Sequence, residues 1–307
     1  MFNNKSILIT GGSGFIGSNI LNYFINFKNV KLYNFSLDKE KLEHSSITFI
    51  KGDLTNNLDL NQLNQYSYDY IFHQAALVDT TVMDETLMLD TNTNSFKTIL
   101  DITKRNKAVL VYASSAAVYG NSSPPNCVGN NEQPTNIYGE SKLKMDVLAL
   151  DFKNKNPELN IVGLRYFNVY GPGEDEKGNM ASMIYQLFKQ MDQDKNPRLF
   201  KYGEQKRDFI YVKDVVNANI KAALSKKSGI YNIGTGKART FNDIVTILNV
   251  EMNKKLKIEY FDNPYDFYQN YTEASIENDI DYKPQFTLEE GIGDYRNYLN
   301  KNLDNRI

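Results

Sequence analysis

A glycine-rich stretch near the start of the chain constrains the possible folds more than any other feature. Residues 10–18, TGGSGFIGS, follow the apolar run 7–9 and lead into a segment with helical apolar spacing. Glycines at this spacing, between a strand and a helix, allow a tight turn, close approach to a pyrophosphate and close helix–strand packing. The helix start also offers N–H groups and a positive dipole end to an anion. The alternative is an ordinary strand-to-helix turn. The dinucleotide contacts predicted here are Gly11, Gly14, Phe15, Ile16 and Gly17.

Composition narrows the class of protein. The chain has 307 residues, 41% of them hydrophobic and 23% charged, which suits a large domain with a smaller one attached. A net charge of −2 gives no electrostatic argument for a nucleic-acid or membrane partner. No apolar run approaches the roughly 20 residues of a membrane span. One cysteine, two histidines and no visible leader predict a cytoplasmic protein without a metal site.

Strands and helices alternate along the first half of the chain. Such alternation predicts an α/β fold, with a Rossmann-type doubly wound parallel sheet and a smaller α/β substrate-binding domain. The predicted strands after the first are 30–35, 46–50, 70–76 (running into a small-residue loop) and 109–113, and a helix is predicted over 86–106.

The strand ends predict further cofactor contacts. In NAD-binding versions of this fold an acidic residue ends the second strand, but here Asn34 and Ser36 hold the candidate positions. The missing acid favours a 2′-phosphate, received by Lys39 or Lys41, so NAD and NADP both stay open. Asp53 is placed to accept a hydrogen bond from an adenine amino group. The remaining predicted contacts are Leu54, Gln74, Ala75, Ala76, Asn92 and Val169.

A second constellation carries candidate chemistry. The fifth strand runs into Ser115, and Tyr138 and Lys142 follow at the start of a helix, four residues apart and hence on one face. A lysine ammonium beside a phenol lowers the pKa of the phenol. We therefore expect Tyr138 to act as a general acid or base near neutral pH.

These motifs resemble the extended short-chain dehydrogenase/reductase family, in particular its nucleotide-sugar epimerases and dehydratases. The resemblance covers nearly the whole chain and implies that Ser115 binds the reacting hydroxyl, Tyr138 moves its proton, and Lys142 holds the nicotinamide ribose of NAD or NADP. The motifs that carry it are TGGSGFIGS, GDLT, FHQAA, YASSAAVYG, YGESK, RYFNVYGP, RDFIYV and YNIGTG.

Within that family, the segment 172–182 resembles the ADP-glycero-manno-heptose 6-epimerases. The resemblance implies a second base at Lys177, across the reacting carbon from Tyr138; the alternative is a loop lysine paired with Glu174 or Glu176. The implied reaction oxidises carbon 6 to a ketone and returns the hydride to the other face. The implied nucleotide-sugar contacts are Thr80, Asn168, Asn179, Gln186, Phe200, Arg207 and Tyr268.

Other activities stay in competition with 6-epimerisation. Elimination by a 4,6-dehydratase is disfavoured because Ala116 and Ala117 stand where an acidic pair would be needed. A 4-epimerase or 4-dehydrogenase, for example on GDP-heptose, needs only Ser115, Tyr138 and Lys142. A non-catalytic dinucleotide-binding protein is the third alternative.

The resemblance also implies an organisation for the chain. We expect a cofactor domain from residues 1–165 with about 208–236, and a substrate domain from 166–207 and 237–307. Members of the family assemble as homo-oligomers, and we expect the same here.

Overall fold

A computed structural model of the chain describes residues 1–40, 42–262 and 270–304. The strands are β1 (Ser6–Thr10), β2 (Lys31–Ser36), β3 (Ile47–Lys51), β4 (Tyr70–His73), β5 (Val109–Ser115), β6 (Asn160–Tyr166), β7 (Asn168–Tyr170), β8 (Arg198–Phe200), β9 (Lys206–Tyr211), β10 (Gly229–Ile233), β11 (Ala238–Thr240) and β12 (Glu259–Phe261). The α-helices are α1 (Phe15–Phe24), α2 (Asn57–Gln62), α3 (Glu85–Leu89), α4 (Ser95–Asn106), α5 (Ile137–Lys155), α6 (Met183–Asp192), α7 (Val212–Leu224), α8 (Phe241–Glu251) and α9 (Leu288–Asp304).

Seven parallel strands form the main sheet, in the order β10-β6-β5-β4-β1-β2-β3. Strand order reverses between β1 and β4, which is where open sheets of this kind bind ligands. The predicted Rossmann-type parallel sheet is confirmed. Because both faces are covered, successive strand residues are all apolar: Ile7 and Ile9 face one core and Leu8 the other.

The two faces of the main sheet are covered by different helices. Helices α1 and α7 pack on one face, through residues such as Phe24 and Val215. Helices α4 and α5 pack on the other, through residues such as Ile99 and Met145. This arrangement puts the start of α5, which carries Tyr138, at the carboxyl edge of β5.

A smaller α/β region lies beyond this edge. It has a three-stranded sheet, β11-β9-β7, and a parallel pair, β12-β8, with a core from α6, α8 and α9. Strand β9 belongs to this small sheet, whereas α7 and β10 return to the main one. Among the described residues no helix is both long and apolar enough to cross a bilayer.

The predicted helix over 86–106 is interrupted, which is a correction. Helices α3 and α4 are separated by a π-helical turn, Asp90–Asn94. Asn92 lies within this turn and is fully buried. Its side chain accepts a hydrogen bond from Leu77 N (2.8 Å) and donates to Leu77 O (3.0 Å) and Ser141 Oγ (3.0 Å). The widened turn lets this amide reach inward, a recurrent use of π-helical turns at functional sites.

Candidate functional site

The glycine loop has the geometry that its sequence predicts. Gly11 has φ +69°, and a Cβ there would lie 2.7 Å from Ala75 N. A Cβ on Gly17 would lie 2.1 Å from Gly11 O, so only glycine lets α1 pack this close to the turn. No described side chain caps α1 at Gly14. The first-turn N–H groups of α1 are therefore available to a pyrophosphate.

A cavity of about 520 Å³ opens over this loop. It extends from the loop past the ends of β2 and β3 to the segment after β4, the shape expected of a dinucleotide site in this fold. The predicted cofactor residues that line it are Gly11, Gly14, Phe15, Ile16, Gly17, Ser36, Asp53, Leu54, Gln74, Ala75 and Ala76.

The end of β2 differs from the prediction. Asn34 does not line the cavity; it is fully buried, and its amide donates to Ser13 Oγ (3.1 Å) and Glu40 Oε2 (2.8 Å). Ser36 donates to Asn34 Oδ1 (2.7 Å) and accepts from Ser13 N (3.1 Å). Asn34 therefore supports the glycine loop from below instead of contacting a ribose. Asp38, two residues beyond Ser36, is an acidic residue that lines the cavity. Lys41 lies outside the described residues.

Asn92 and Val169 also lie away from the dinucleotide cavity. Asn92 is buried beneath it, where it fixes Leu77 to α5 through the bonds described above. Val169 lines a neighbouring cavity. Leu77 itself lines the dinucleotide cavity, so Asn92 shapes that wall through its neighbour.

Ser115, Tyr138 and Lys142 come together in the second cavity, of about 880 Å³. Ser115 ends β5, and its Oγ accepts a hydrogen bond from Ala117 N (3.1 Å). Tyr138 lies in the first turn of α5, which Asn136 caps through Gly139 N. Lys142 is buried, donates to Ala113 O (2.8 Å) and lies 5.9 Å from the Tyr138 ring centroid. The strand end and the helix start thus present a hydroxyl, a phenol and an amine to one space.

The predicted lowering of the Tyr138 pKa is not found. Burial raises the pKa of Tyr138, and hydrogen bonding to Ser115 opposes the rise. Burial lowers the pKa of Lys142 to about 8, against the attraction of Asp146. The prediction was wrong because desolvation of the buried phenol raises its pKa more than the hydrogen bond to Ser115 lowers it. The Lys142 ammonium instead bonds the Ala113 carbonyl.

The two cavities form one cleft, since they share Phe15, Ile16, Gln74, Ala76, Val78 and Lys177. Of the predicted substrate residues, Thr80, Asn168, Asn179, Phe200 and Arg207 line the second cavity. Gln186 does not; it lines an adjoining cavity and donates to Asn179 O (3.1 Å) and Ala181 O (2.8 Å). Tyr268 lies outside the described residues.

Lys177 lies where the two cavities meet, in a short 3₁₀ segment between β7 and α6. Its ammonium is 5.4 Å from the centroid of the Phe15 ring. Within the described ranges it has no ion pair shorter than 4 Å, so the predicted alternative of pairing with Glu174 or Glu176 is not found. Burial lowers the pKa of Lys177, while the charge of Glu174 raises it.

Two buried carboxylates hold the cleft; sequence reasoning named Glu174 only as a possible partner of Lys177 and missed Asp146. Glu174 is fully buried and accepts from Gly171 N (3.0 Å), Ser182 N (2.6 Å) and Ser182 Oγ (2.9 Å), closing the base of the Lys177 segment. Asp146 lies one helical turn beyond Lys142. The sequence did contain a signal for Asp146: Tyr138, Lys142 and Asp146 are spaced by four, which puts all three on one face of the helix.

Comparison with known proteins assigns the family. Residues 7–234 match the NAD dependent epimerase/dehydratase family. The chain belongs to this family. The match contains the glycine loop, Ser115, Tyr138, Lys142 and Lys177, so the resemblance found in the sequence is confirmed.

Solved structures of other members superpose closely. Helicobacter pylori ADP-L-glycero-D-manno-heptose-6-epimerase is 43% identical, with 97% of each chain covered and a TM-score of 0.90. UDP-N-acetylglucosamine 4-epimerase from Methanobrevibacter ruminantium, in complex with UDP-N-acetylmuramic acid, is 30% identical over 98% of this chain and 99% of that one, with a TM-score of 0.89. UDP-glucuronic acid 4-epimerase from Bacillus cereus, in complex with NAD, is 26% identical over 96% of this chain and 99% of that one, with a TM-score of 0.82.

The cofactor of this family member is NAD or NADP, and the described residues fit it. A Cβ at Gly11 or Gly17 would obstruct the turn that brings the backbone up to a pyrophosphate. The first turn of α1 has no side-chain cap. Ser36, Asp38 and Asp53 line the end where the adenosine would lie.

Proposed function

We propose that this enzyme epimerises a nucleotide-activated heptose at carbon 6, through transient oxidation to a ketone and return of the hydride. The observation that carries the proposal is the position of Lys177. It enters the cleft from the 3₁₀ segment after β7, whereas Tyr138 enters from α5, and both line the second cavity. Inversion at one carbon needs a proton acceptor and donor for each orientation of the hydroxyl.

Ser115, Tyr138 and Lys142, on β5 and α5, form one side of the cleft and would act on one orientation of the hydroxyl. Ser115 would hydrogen-bond the hydroxyl oxygen, and Tyr138 would take its proton. Lys142, held against Ala113 O, would contact the nicotinamide ribose. A bound nicotinamide supplies the hydride acceptor and, once reduced, the donor.

Lys177 would act on the opposite orientation. Burial lowers its pKa, which brings an amine closer to proton transfer near neutral pH. Cys127, His44 and His73 have no part in the proposal. His73 is buried with its pKa lowered to about 3, and its Nδ1 bonds Thr10 Oγ1 (2.7 Å).

The nucleotide would lie in the smaller region. Arg207 is buried beside Phe241, with its Cζ 6.0 Å from the ring centroid, and its planar guanidinium suits a diphosphate. Phe200 and Asn179 line the same cavity. We propose accordingly that residues 1–165, with about 208–236, bind the cofactor, and that 166–207 and 237–307 bind the sugar nucleotide.

We further propose a setting for this reaction. The enzyme would act as a cytoplasmic homo-oligomer, retain its cofactor between turnovers, and supply a sugar for surface polysaccharide such as lipopolysaccharide or capsule.

The test is to incubate the purified protein with ADP-heptose and, separately, GDP-heptose, and to follow carbons 4 and 6 by NMR. Inversion at carbon 6 supports the proposal, and the preferred nucleotide identifies the substrate. Inversion or oxidation at carbon 4 would instead support a nucleotide-sugar 4-epimerase or 4-dehydrogenase. The 30% identity to a 4-epimerase makes this the second candidate. No turnover of either sugar and no co-purifying dinucleotide would indicate a non-catalytic protein.

A further inference from the structure

A buried charged residue continues the catalytic face of α5. Tyr138, Lys142 and Asp146 follow one another at intervals of four, so they lie along one side of the helix. Asp146 and its partner Arg165, in β6, are each 1% exposed. Charges this deeply buried are rare unless each is paired and hydrogen-bonded.

Asp146 uses both carboxylate oxygens. Its Oδ1 accepts from Tyr112 Oη (2.9 Å). Its Oδ2 accepts from Ser114 Oγ (3.0 Å) and Arg165 Nε (2.9 Å), and Arg165 Nη2 lies 2.8 Å away. Two of these partners, Tyr112 and Ser114, belong to β5, the strand that ends in Ser115.

Arg165 has partners of its own beyond Asp146. Its Nη1 donates to Tyr119 Oη (3.0 Å) and pairs with Glu132, and Tyr119 donates to Asn232 Oδ1 (2.6 Å). Neutralising Asp146 therefore leaves Arg165 with one carboxylate and one phenol. The variant Asp146→Asn therefore does not leave the buried arginine without a charged partner.

The strand end is tied to α5 at two consecutive residues. Lys142 donates to the carbonyl of Ala113, and Ser114 donates to Asp146. Ser115 is the next residue. The spacing between the Ser115 hydroxyl and the Tyr138 phenol thus depends on contacts that Lys142 and Asp146 make together.

Among the described residues, few groups that can set the charge of Lys142 lie close to it. Asp146 faces it from its own helix and attracts it, and Tyr138 lies on the other side. From β4 comes His73, which burial keeps neutral near pH 7. Arg165 and Tyr112 face Asp146, not Lys142. Asp146 is therefore the group that favours the ammonium form.

We propose that Asp146 is a positioning residue of the active site, which holds the Ser115 strand end against α5 and places its charge four residues from Lys142 on the same face of the helix. The proposal rests on the proposed function in taking Ser115, Tyr138 and Lys142 as the catalytic set. Asp146 itself does not line the cleft, so it acts through its neighbours.

The test compares Asp146→Asn with Tyr112→Phe. The first removes the charge and keeps the shape; the second removes one hydrogen bond and keeps the charge. In each, the protonation of Lys142 is titrated by NMR of labelled lysines, and the affinity for NAD and NADP is measured against pH. We expect Asp146→Asn to move the Lys142 transition to lower pH by about one unit, which is a tenfold smaller charged fraction above the transition. Tyr112→Phe should titrate as wild type.

Activity gives the second measurement. Asp146→Asn should lower kcat about fivefold near pH 8 with little change in KM, because a transition moved from about 8 to about 7 leaves about a fifth of the charged Lys142 at that pH. Tyr112→Phe removes one of the two links between β5 and Asp146 but keeps the charge, so any loss of kcat should be the same at pH 6 and pH 8. A Lys142 titration unchanged in Asp146→Asn, or shifted equally by Tyr112→Phe, would overturn the proposal.

A third variant covers failure of Asp146→Asn to fold. Ser114→Ala removes the link between β5 and Asp146 that lies next to Ser115 and leaves the Tyr112 link in place. We expect a lower kcat at unchanged KM; a wild-type kcat would overturn the positioning role. If no sugar is turned over by the wild type, the proposed function fails, but the lysine titration and the dinucleotide affinities still decide the role of Asp146.

Discussion

The two sides of the cleft are built in different ways. Ser115, Tyr138 and Lys142 stand on β5 and α5, regular elements packed on the main sheet. Lys177 stands on a short 3₁₀ segment that contains Gly178 at φ +55°. The first side is held by a backbone carbonyl and a buried ion pair. The second is held by one buried carboxylate, Glu174.

This contrast shows how one fold can keep its chemistry while changing its substrate. The sheet and helix fix Ser115, Tyr138 and Lys142, which support oxidation of a sugar hydroxyl at whichever carbon is presented to them. A base on a loop, Lys177, adds proton transfer for the second orientation of the hydroxyl at one carbon. Loops on a rigid scaffold are where such specificity is expected.

Loss of the Tyr138 hydroxyl should have the largest effect on activity. Tyr138→Phe removes the acid–base group on the β5 and α5 side of the cleft. Positioned proton transfer contributes about 10²–10⁴-fold to the rate. We expect epimerisation to fall by about that factor while cofactor affinity is kept, measured by NMR and calorimetry. Tyr23→Phe, which changes an exposed tyrosine on α1, is the matched control and should keep wild-type activity.

Loss of the Lys177 amine should lower epimerisation by about 10²-fold or more, since a second proton-transfer group is removed. Lys177→Met keeps the length of the side chain and its packing on Phe15. Lys189→Met, on the neighbouring helix α6, is the control. Wild-type turnover by Lys177→Met would refute the two-sided mechanism.

Lys142, on the β5 and α5 side of the cleft, should also determine how activity declines at alkaline pH. With a pKa of about 8, Lys142 carries its charge below that pH and loses it above. We therefore expect kcat to decline as pH rises through about 8, by up to tenfold per unit. Lys142→Arg keeps a charge at all these pH values, so its lower activity should show no such decline. A decline that persists in Lys142→Arg would assign the limb to another group.

Weakening the hold on the 3₁₀ segment that carries Lys177 should have the smallest effect on activity. Glu174→Gln puts an amide where two N–H groups need an acceptor. We expect it to lower the unfolding free energy by about 1–3 kcal/mol, measured by denaturant titration. Epimerisation should fall several-fold, and NAD affinity should stay near wild type. A loss of NAD affinity as large as the loss of turnover would show that Glu174 holds more than the Lys177 segment.

The features that sequence predicted well are those encoded by local pattern. The glycine loop follows from three glycines between a strand and a helix, and the parallel sheet follows from alternating apolar strands and amphipathic segments. Tyr138 and Lys142 were placed on one face by their spacing alone. Lys177, by contrast, was found only through resemblance, because nothing in an isolated loop shows which cavity it faces.

What sequence did not predict depends on contacts between distant residues. Asn92 and Asn34 were expected at the cofactor, but one bonds Ser141 and the other Ser13, so both support the site from below. The pKa of Tyr138 was predicted in the wrong direction because the spacing of Tyr138 and Lys142 does not show how deeply the phenol is buried, and burial raises its pKa. Asp146 was missed because it lies in helix α5 and its arginine partner, Arg165, lies in strand β6.

The most direct test of the two-sided cleft is single-turnover reduction of the bound cofactor with each carbon-6 diastereomer of the nucleotide heptose. The measurement is made on wild type, Tyr138→Phe and Lys177→Met, by the absorbance of the reduced nicotinamide. We predict that wild type is reduced by both diastereomers, and that each variant responds to one diastereomer only, opposite in the two variants. Loss of both reactions in Tyr138→Phe, with neither affected in Lys177→Met, would contradict the account.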